Sequence, residues 1–318
     1  MLSSIWDDVK QQFNSGNMII RLIIVNVSIF LIINLLKVFL HHGGGTGSTP
    51  DIYSRIMSWF KISSEPIEVV LHPWSVFTHM FMHEGFWHIL WNMLFLYWFG
   101  RILGDLIGDR RILPIYLLGG LAGALSFFLS VNLLPYGGTG THLMLGASGG
   151  IMAIVVAAGA IAPDYNFRLI LLGDVKLKYI VLAVIFLDLV GTAGNINTGG
   201  HFAHLGGALM GWFFISQLHK GTDLSEPING FFEKITGFFR GLSQPTQRKR
   251  QGPKIAHRNE DKIKRRQKNT RSGHRSDSTP GNSSHQEKLD AILDKIKKEG
   301  YESLSEAEKE FLFNASKQ

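Results

Sequence analysis

The 318-residue chain contains no cysteine. That excludes disulfide bridges, thiolate zinc sites and a cysteine nucleophile, and it leaves the redox compartment unmarked. A zinc-protease helix is also missing. Such a helix reads H-E-x-x-H, with two histidines on one face and the glutamate as base. In HMFMHEGFWHILWNM, residues 79–93, His83-Glu84 is followed by His88. A five-residue step puts those two rings on different helical faces. The opening MLSSIWDDVKQQFNSGN has two aspartates, one lysine and no cleavage-site pattern, so it is not read as a signal or transit peptide. Charge is scarce, at 18% of residues, and most of the basic excess lies in a tail.

Long apolar runs dominate instead. Hydrophobic residues make up 45% of the chain, and mean hydropathy is only +0.11 because the polar tail dilutes it. Six runs, near 18–40, 86–104, 112–134, 146–162, 179–194 and 202–218, approach or reach the length that crosses a bilayer as a helix. The expected fold is therefore an all-α membrane protein with six transmembrane helices. Arg101, Arg110 and Arg111 lie between the second and third runs, and Arg168, Lys176 and Lys178 between the fourth and fifth. The gaps 135–145 and 194–201 carry neither Lys nor Arg. By the positive-inside rule both termini are cytoplasmic, and runs 2, 4 and 6 start at the outer face.

Four regions follow: a cytoplasmic segment 1–16, a membrane domain 17–220, a basic linker 221–285 expected to be largely disordered, and a small helical module 286–318. Within the membrane domain, 51–62 suits an interfacial helix. Gly119 and Gly123, then Ala203, Gly207 and Gly211, give small-residue faces for close helix packing. In 242–285, 12 Lys/Arg face three acids, an excess larger than the net +7 of the whole chain. Beside a membrane, residues 248–275 are expected to meet anionic lipid. No aromatic interleaving supports nucleic acid. In the module, Leu289, Ile292, Leu293 and Ile296 form an amphipathic stripe. Gly300 suits a C-terminal cap, and Ser305 with Glu308 forms a capping box. So small a helical pair has little core, which points to a docking partner that the sequence does not identify.

Polar groups inside membrane helices are costly and mark functional cavities. Ser148 sits in GASGG at the start of run 4, and His204 in HFAHLGGALMG opening run 6. His88 and Asn92 stand one turn apart near the outer end of run 2. All four reach a similar depth. An imidazole can take the proton of a serine hydroxyl and return it to a leaving amine. His88, Asn92 and the Ser148 backbone N–H can donate to the oxyanion that forms. GASGG also matches the nucleophile elbow of soluble hydrolases, but βα alternation is absent.

With H-x-x-x-N at His88–Asn92, G-x-S-G at Gly146–Gly149 and A-H-x-x-G at Ala203–Gly207, the chain resembles the rhomboid family of intramembrane serine proteases over roughly residues 15–220. The resemblance implies a six-helix core, a Ser148–His204 dyad, no metal or cofactor, and cleavage of transmembrane protein substrates at small residues near the outer face. It implies a gate formed by helices 2 and 5 and the loop GTAGNINTGG. The family's Trp-Arg is Trp74-Ser75 here, and its tyrosine after the serine is Met152, which leaves open what holds the His204 ring. Asp105 stands near the family's glutamate. Asp188 could complete a triad; the dyad leaves it tying helix 5 to backbone. His201 competes with His204, and the A-H-x-x-G match favours His204. His83 is expected as a loop hydrogen-bonder and Glu84 as a residue of the outer rim. The expected location is a bacterial inner membrane. The alternatives are a substrate-binding pseudoprotease, which would lack the serine or histidine, and a transporter, which would carry charges along several spans.

Overall fold

A computed structural model of the chain describes residues 2–43, 49–138, 140–169, 173–194, 197–243 and 283–315. The expected lipid-contacting stretch 248–275 lies outside these residues. The chain divides into two compact units, Met1–Pro245 and Thr246–Gln318.

The first unit is helical. After α1 (Leu2–Ser15), each expected apolar run lies largely in a helix: α2 (Met18–Gly43), α6 (Phe86–Ile107), α7 (Ile112–Leu133), α8 (Ser148–Ile161), α9 (Leu177–Thr192) and α10 (Thr198–His219). By length and composition, Met18–Leu40 and Asp109–Leu133 are apolar and long enough to cross a membrane, and Ser148–Ile161 is a shorter apolar helix. Three short helices, α3 (Thr49–Ser58), α4 (Pro66–Leu71) and α5 (Ser75–Thr78), fold the segment between α2 and α6. The expected interfacial stretch 51–62 is thus helical only in its first part. Met57 on α3 is buried against Ile33 and Met82.

The core is the packing of α7, α8 and α10. Gly149 through Gly159 of α8 are buried without interruption, so this helix is enclosed on every side. Glycine makes that possible. A Cβ on Gly207 would run into the carbonyl of Gly149, and one on Gly123 would lie 2.9 Å from the Ala203 carbonyl oxygen. The small-residue faces read from the sequence therefore bring backbone onto backbone. The outer helices invert the soluble pattern. On α9 only Leu177, Val181 and Asp188 are buried, while Leu182, Phe186, Leu187 and Leu189 face outward. So broad an exposed apolar surface needs an apolar solvent.

Two features depart from an all-helical chain. β1 (Ile62–Ser63) pairs antiparallel with β2 (Leu143–Met144), and Ser64 extends the tie: its N–H donates to the His142 carbonyl at 2.9 Å. β3 (Asn166–Leu169) pairs with β4 (Gly173–Lys176) in the connection between α8 and α9. Both satisfy backbone groups in loops that enter helices from extended conformations. The linker expectation is also corrected at its start. Residues Ser225–Ser243 form helix α11, because Ile228, Phe231, Phe232, Ile235, Phe238 and Phe239 recur at helical spacing.

In the second unit, α12 (Ser283–Glu299) ends at Gly300 with φ 82°, and α13 (Glu306–Ala315) follows. The capping box forms as expected: Ser305 N–H donates to Glu308 Oε2 at 2.8 Å and Glu308 N–H to Ser305 Oγ at 3.4 Å. Lys295 on α12 reaches the same carboxylate at 3.0 Å.

Candidate active site

Ser148 owes its position to the turn before it. Gly146 adopts φ 128°, a conformation that side-chain-bearing residues avoid. Its N–H donates to the His79 carbonyl at 2.9 Å, which ties the serine loop to the segment leading into α6. A Cβ on Gly146 would lie 2.9 Å from the His88 ring and 3.7 Å from Ser148 Oγ. The imidazole of His88 and the hydroxyl of Ser148 therefore flank one glycine, and a side chain there would crowd the His88 ring.

Asn92, one turn below His88, is buried, and its amide donates to the His88 carbonyl at 2.7 Å. That uses one of the two N–H groups of the amide. Met152, one turn below Ser148, is also buried. His83 is fully buried too; its ring centroid is 5.0 Å from that of His88. Its Nε2 accepts the Ala147 N–H at 3.4 Å, so it is the loop hydrogen-bonder expected. Burial pushes the His79 imidazole down to about 4 and that of His83 down to about 3, His88 adding to the second shift. Both rings stay neutral at ordinary pH. Glu84 pairs with Lys61 at 3.0 Å and takes a bond from the Tyr53 hydroxyl at 3.3 Å.

The expectation for Asp188 is corrected. It does not tie α9 to backbone. Its Oδ1 accepts from His204 Nδ1 at 2.8 Å and from His201 Nδ1 at 2.8 Å. An ionised carboxylate only accepts, so each ring carries its proton on Nδ1. The Nε2 of His204 then bears a lone pair. This is what holds the ring that Met152 cannot hold. The signal in the sequence was a lone carboxylate in an apolar run, with no other charge after Lys178 at the start of α9; its partners, 13 and 16 residues away, are set by the crossing of α9 and α10.

Ser148, His204, His88 and Asn92 line one cavity of about 620 Å³. Asp188, His201, Met152, Gly146 and Gly149 line it as well, and His83 does not. Among the described residues, Asp188, His201 and His204 are the one group with the spacing of metal ligands, their ligand atoms all within 4.8 Å of one another.

Residues 71–221 match the family model described as the rhomboid domain. Residues 282–318 match a family of unknown function, DUF6576. The chain is 32% identical over 169 residues to presenilin-associated rhomboid-like protein A, mitochondrial, of Danio rerio, covering 52% of this chain and 43% of the relative. It is 29% identical over 174 residues to the human presenilin-associated rhomboid-like protein, mitochondrial, covering 54% and 44%. It is 27% identical over 153 residues to rhomboid protein 1, mitochondrial, of Saccharomyces cerevisiae, covering 46% and 43%. The chain thus spans less than half the length of each of these relatives.

Proposed function

Because residues 71–221 make this chain a membrane protein of the rhomboid family, we propose that it is an intramembrane serine endopeptidase with six transmembrane helices. One observation carries the proposal: a serine, a histidine with its Nε2 lone pair exposed by an aspartate, and two side-chain donors line a single cavity. Ser148 Oγ attacks the scissile carbonyl carbon while His204 Nε2 takes the hydroxyl proton. Asp188 holds the tautomer and the ring, and steadies the imidazolium that forms. His88, the second amide N–H of Asn92 and the Ser148 backbone N–H donate to the oxyanion. Collapse breaks the C–N bond, and His204 passes its proton to the leaving amine. Water then hydrolyses the acyl-enzyme through the same base.

Helix lengths support a submerged site open to water. At 1.5 Å per residue, the 14 residues of α8 extend about 21 Å, short of the roughly 30 Å of a hydrocarbon core. A helix starting at Ser148 and running to the inner face leaves its serine below the outer surface, under the loop 135–147. Substrates in this proposal are transmembrane segments that enter beside α6 and α9, whose outward faces are apolar. Residues 248–275 would contact anionic lipid, and 286–318 would dock a partner. The host membrane is proposed as bacterial, with both termini cytoplasmic; cell fractionation decides between that and the mitochondrial setting in the relatives' names.

The test is labelling by a fluorophosphonate probe in membranes together with cleavage of a fluorescent transmembrane substrate. Wild type should label and cut, and Ser148→Ala should do neither. Cleavage by Ser148→Ala, or a wild type that neither labels nor cuts where another rhomboid does, sinks the proposal.

A further inference from the structure

The reaction above uses His204 and Asp188 and leaves His201 idle. Yet His201 donates to the same carboxylate oxygen at the same 2.8 Å. One imidazole is enough to be positioned by one carboxylate. We propose that Asp188, His201 and His204 form a binding site for a zinc-type divalent ion, and that its occupation switches the protease off. The switching rests on the proposed protease function; the binding rests on the cluster alone.

Asp188 comes from α9, and His201 and His204 are neighbours at i and i+3 on α10. The three ligand atoms lie within 4.8 Å of one another. At zinc bond lengths of about 2.0–2.2 Å, tetrahedral ligands stand about 3.3–3.5 Å apart. The present 2.8 Å contacts open to that spacing by side-chain shifts of roughly half an ångström, and the His201–His204 separation, at most 4.8 Å, adjusts to the same spacing. Two imidazoles and one carboxylate suit zinc over magnesium or calcium, which take oxygen. The cavity gives the ion its way in and room for water at the remaining position. Among the described residues, no Lys or Arg lines that cavity to oppose a cation.

Metal and base compete through the tautomer. An ion on Nδ1 of His204 takes that lone pair, so the ring proton moves through cavity water to Nε2. His204 then presents an N–H to Ser148 and cannot accept its proton. Zinc does not need to touch the serine to stop the reaction.

The experiment uses tag-free, full-length Ser148→Ala protein in detergent, titrated calorimetrically with zinc chloride and, in parallel, with cobalt(II) read by its visible absorption. One ion per chain is expected. Adding His201→Asn or, as a second variant, His201→Gln should weaken binding at least ~10-fold and change the cobalt spectrum. In the active protein, each variant's rate is taken relative to its own metal-free rate. Inhibition should follow occupancy, reverse with chelator, and need at least ~10-fold more zinc in the His201 variants. Absence of binding up to ~1 mM zinc, or His201 variants that bind as tightly as the parent, overturns the site. Binding without inhibition of an active enzyme overturns the switch. If the metal-free wild type does not cut but one zinc binds through His201, the site stands and the protease proposal is what falls.

Discussion

Asp188 sits in the run Ile180–Val190, whose other side chains are leucine, valine, isoleucine, alanine and phenylalanine, and it is 6% exposed. A charge so placed needs partners, and its partners are the two histidines of α10. Its chemical task can be separated from its packing. Asp188→Asn keeps size and shape. The amide, however, can turn its NH₂ toward His204, which favours the tautomer protonated on Nε2 and removes the base. Turnover should fall about 10²- to 10⁴-fold, with a much smaller change in KM and an unchanged unfolding temperature. Measuring kcat and KM separately on a transmembrane substrate checks this; an unaltered kcat would reduce Asp188 to a packing residue. The aspartate was visible in the sequence. Its pairing was not, because the angle at which α9 crosses α10 decides which groups it meets.

At the level of elements, α8 is held by contacts that tolerate no added atom. Gly207→Val would press a side chain onto the Gly149 carbonyl, where backbone has no rotamer to yield. Roughly 1–3 kcal/mol of destabilisation is expected, read as a lower denaturant midpoint in mixed micelles. Gly237 on α11 has nothing within 4 Å of a would-be Cβ, so Gly237→Ala should leave stability unchanged or raise it by up to about 1 kcal/mol. In the second unit the Ser305 backbone N–H, Lys295 and the Ser305 hydroxyl hold Glu308 down from 4.5 to about 2. A carboxylate depressed by folding stabilises above its unfolded value and loses that contribution as pH falls through the folded one. Amide-exchange protection in α13 should therefore decline between about pH 4.5 and 2, and Glu308→Gln should have lost that part at every pH. These elements differ in how plainly they were written. Apolar runs, small-residue faces and the Ser305–Glu308 box are local patterns and were legible. The two-residue strands β1 and β2 are too short to carry a period. The phenylalanine stripe of α11 was masked by the basic composition that follows it.

Within the first unit, the arginine clasp and the cavity lie at opposite ends. Asp109 takes the Met18 N–H at 2.8 and 2.9 Å, and Arg111 pairs with Asp223 at 2.8 Å. These bonds clasp the start of α2, the α6–α7 turn and the segment after α10 at one end. At the other end Ser148, His88 and Asn197 line the cavity, beside the gaps 135–145 and 194–201, which carry no Lys or Arg, and the segment 44–85, which carries only Arg55 and Lys61. The positive-inside rule then predicts the clasp in the cytoplasm and the cavity at the outer face. The missing cysteines make this directly measurable, since any thiol introduced is the only one. Thr141 and Lys220 are both exposed and stand at opposite ends of the helices. In intact cells or organelles, Thr141→Cys should react with a membrane-impermeant maleimide, and Lys220→Cys only after permeabilisation. The reverse pattern would turn the cavity toward the cytoplasm, and acyl-enzyme hydrolysis would then draw its water, and its substrates their cut, from that side.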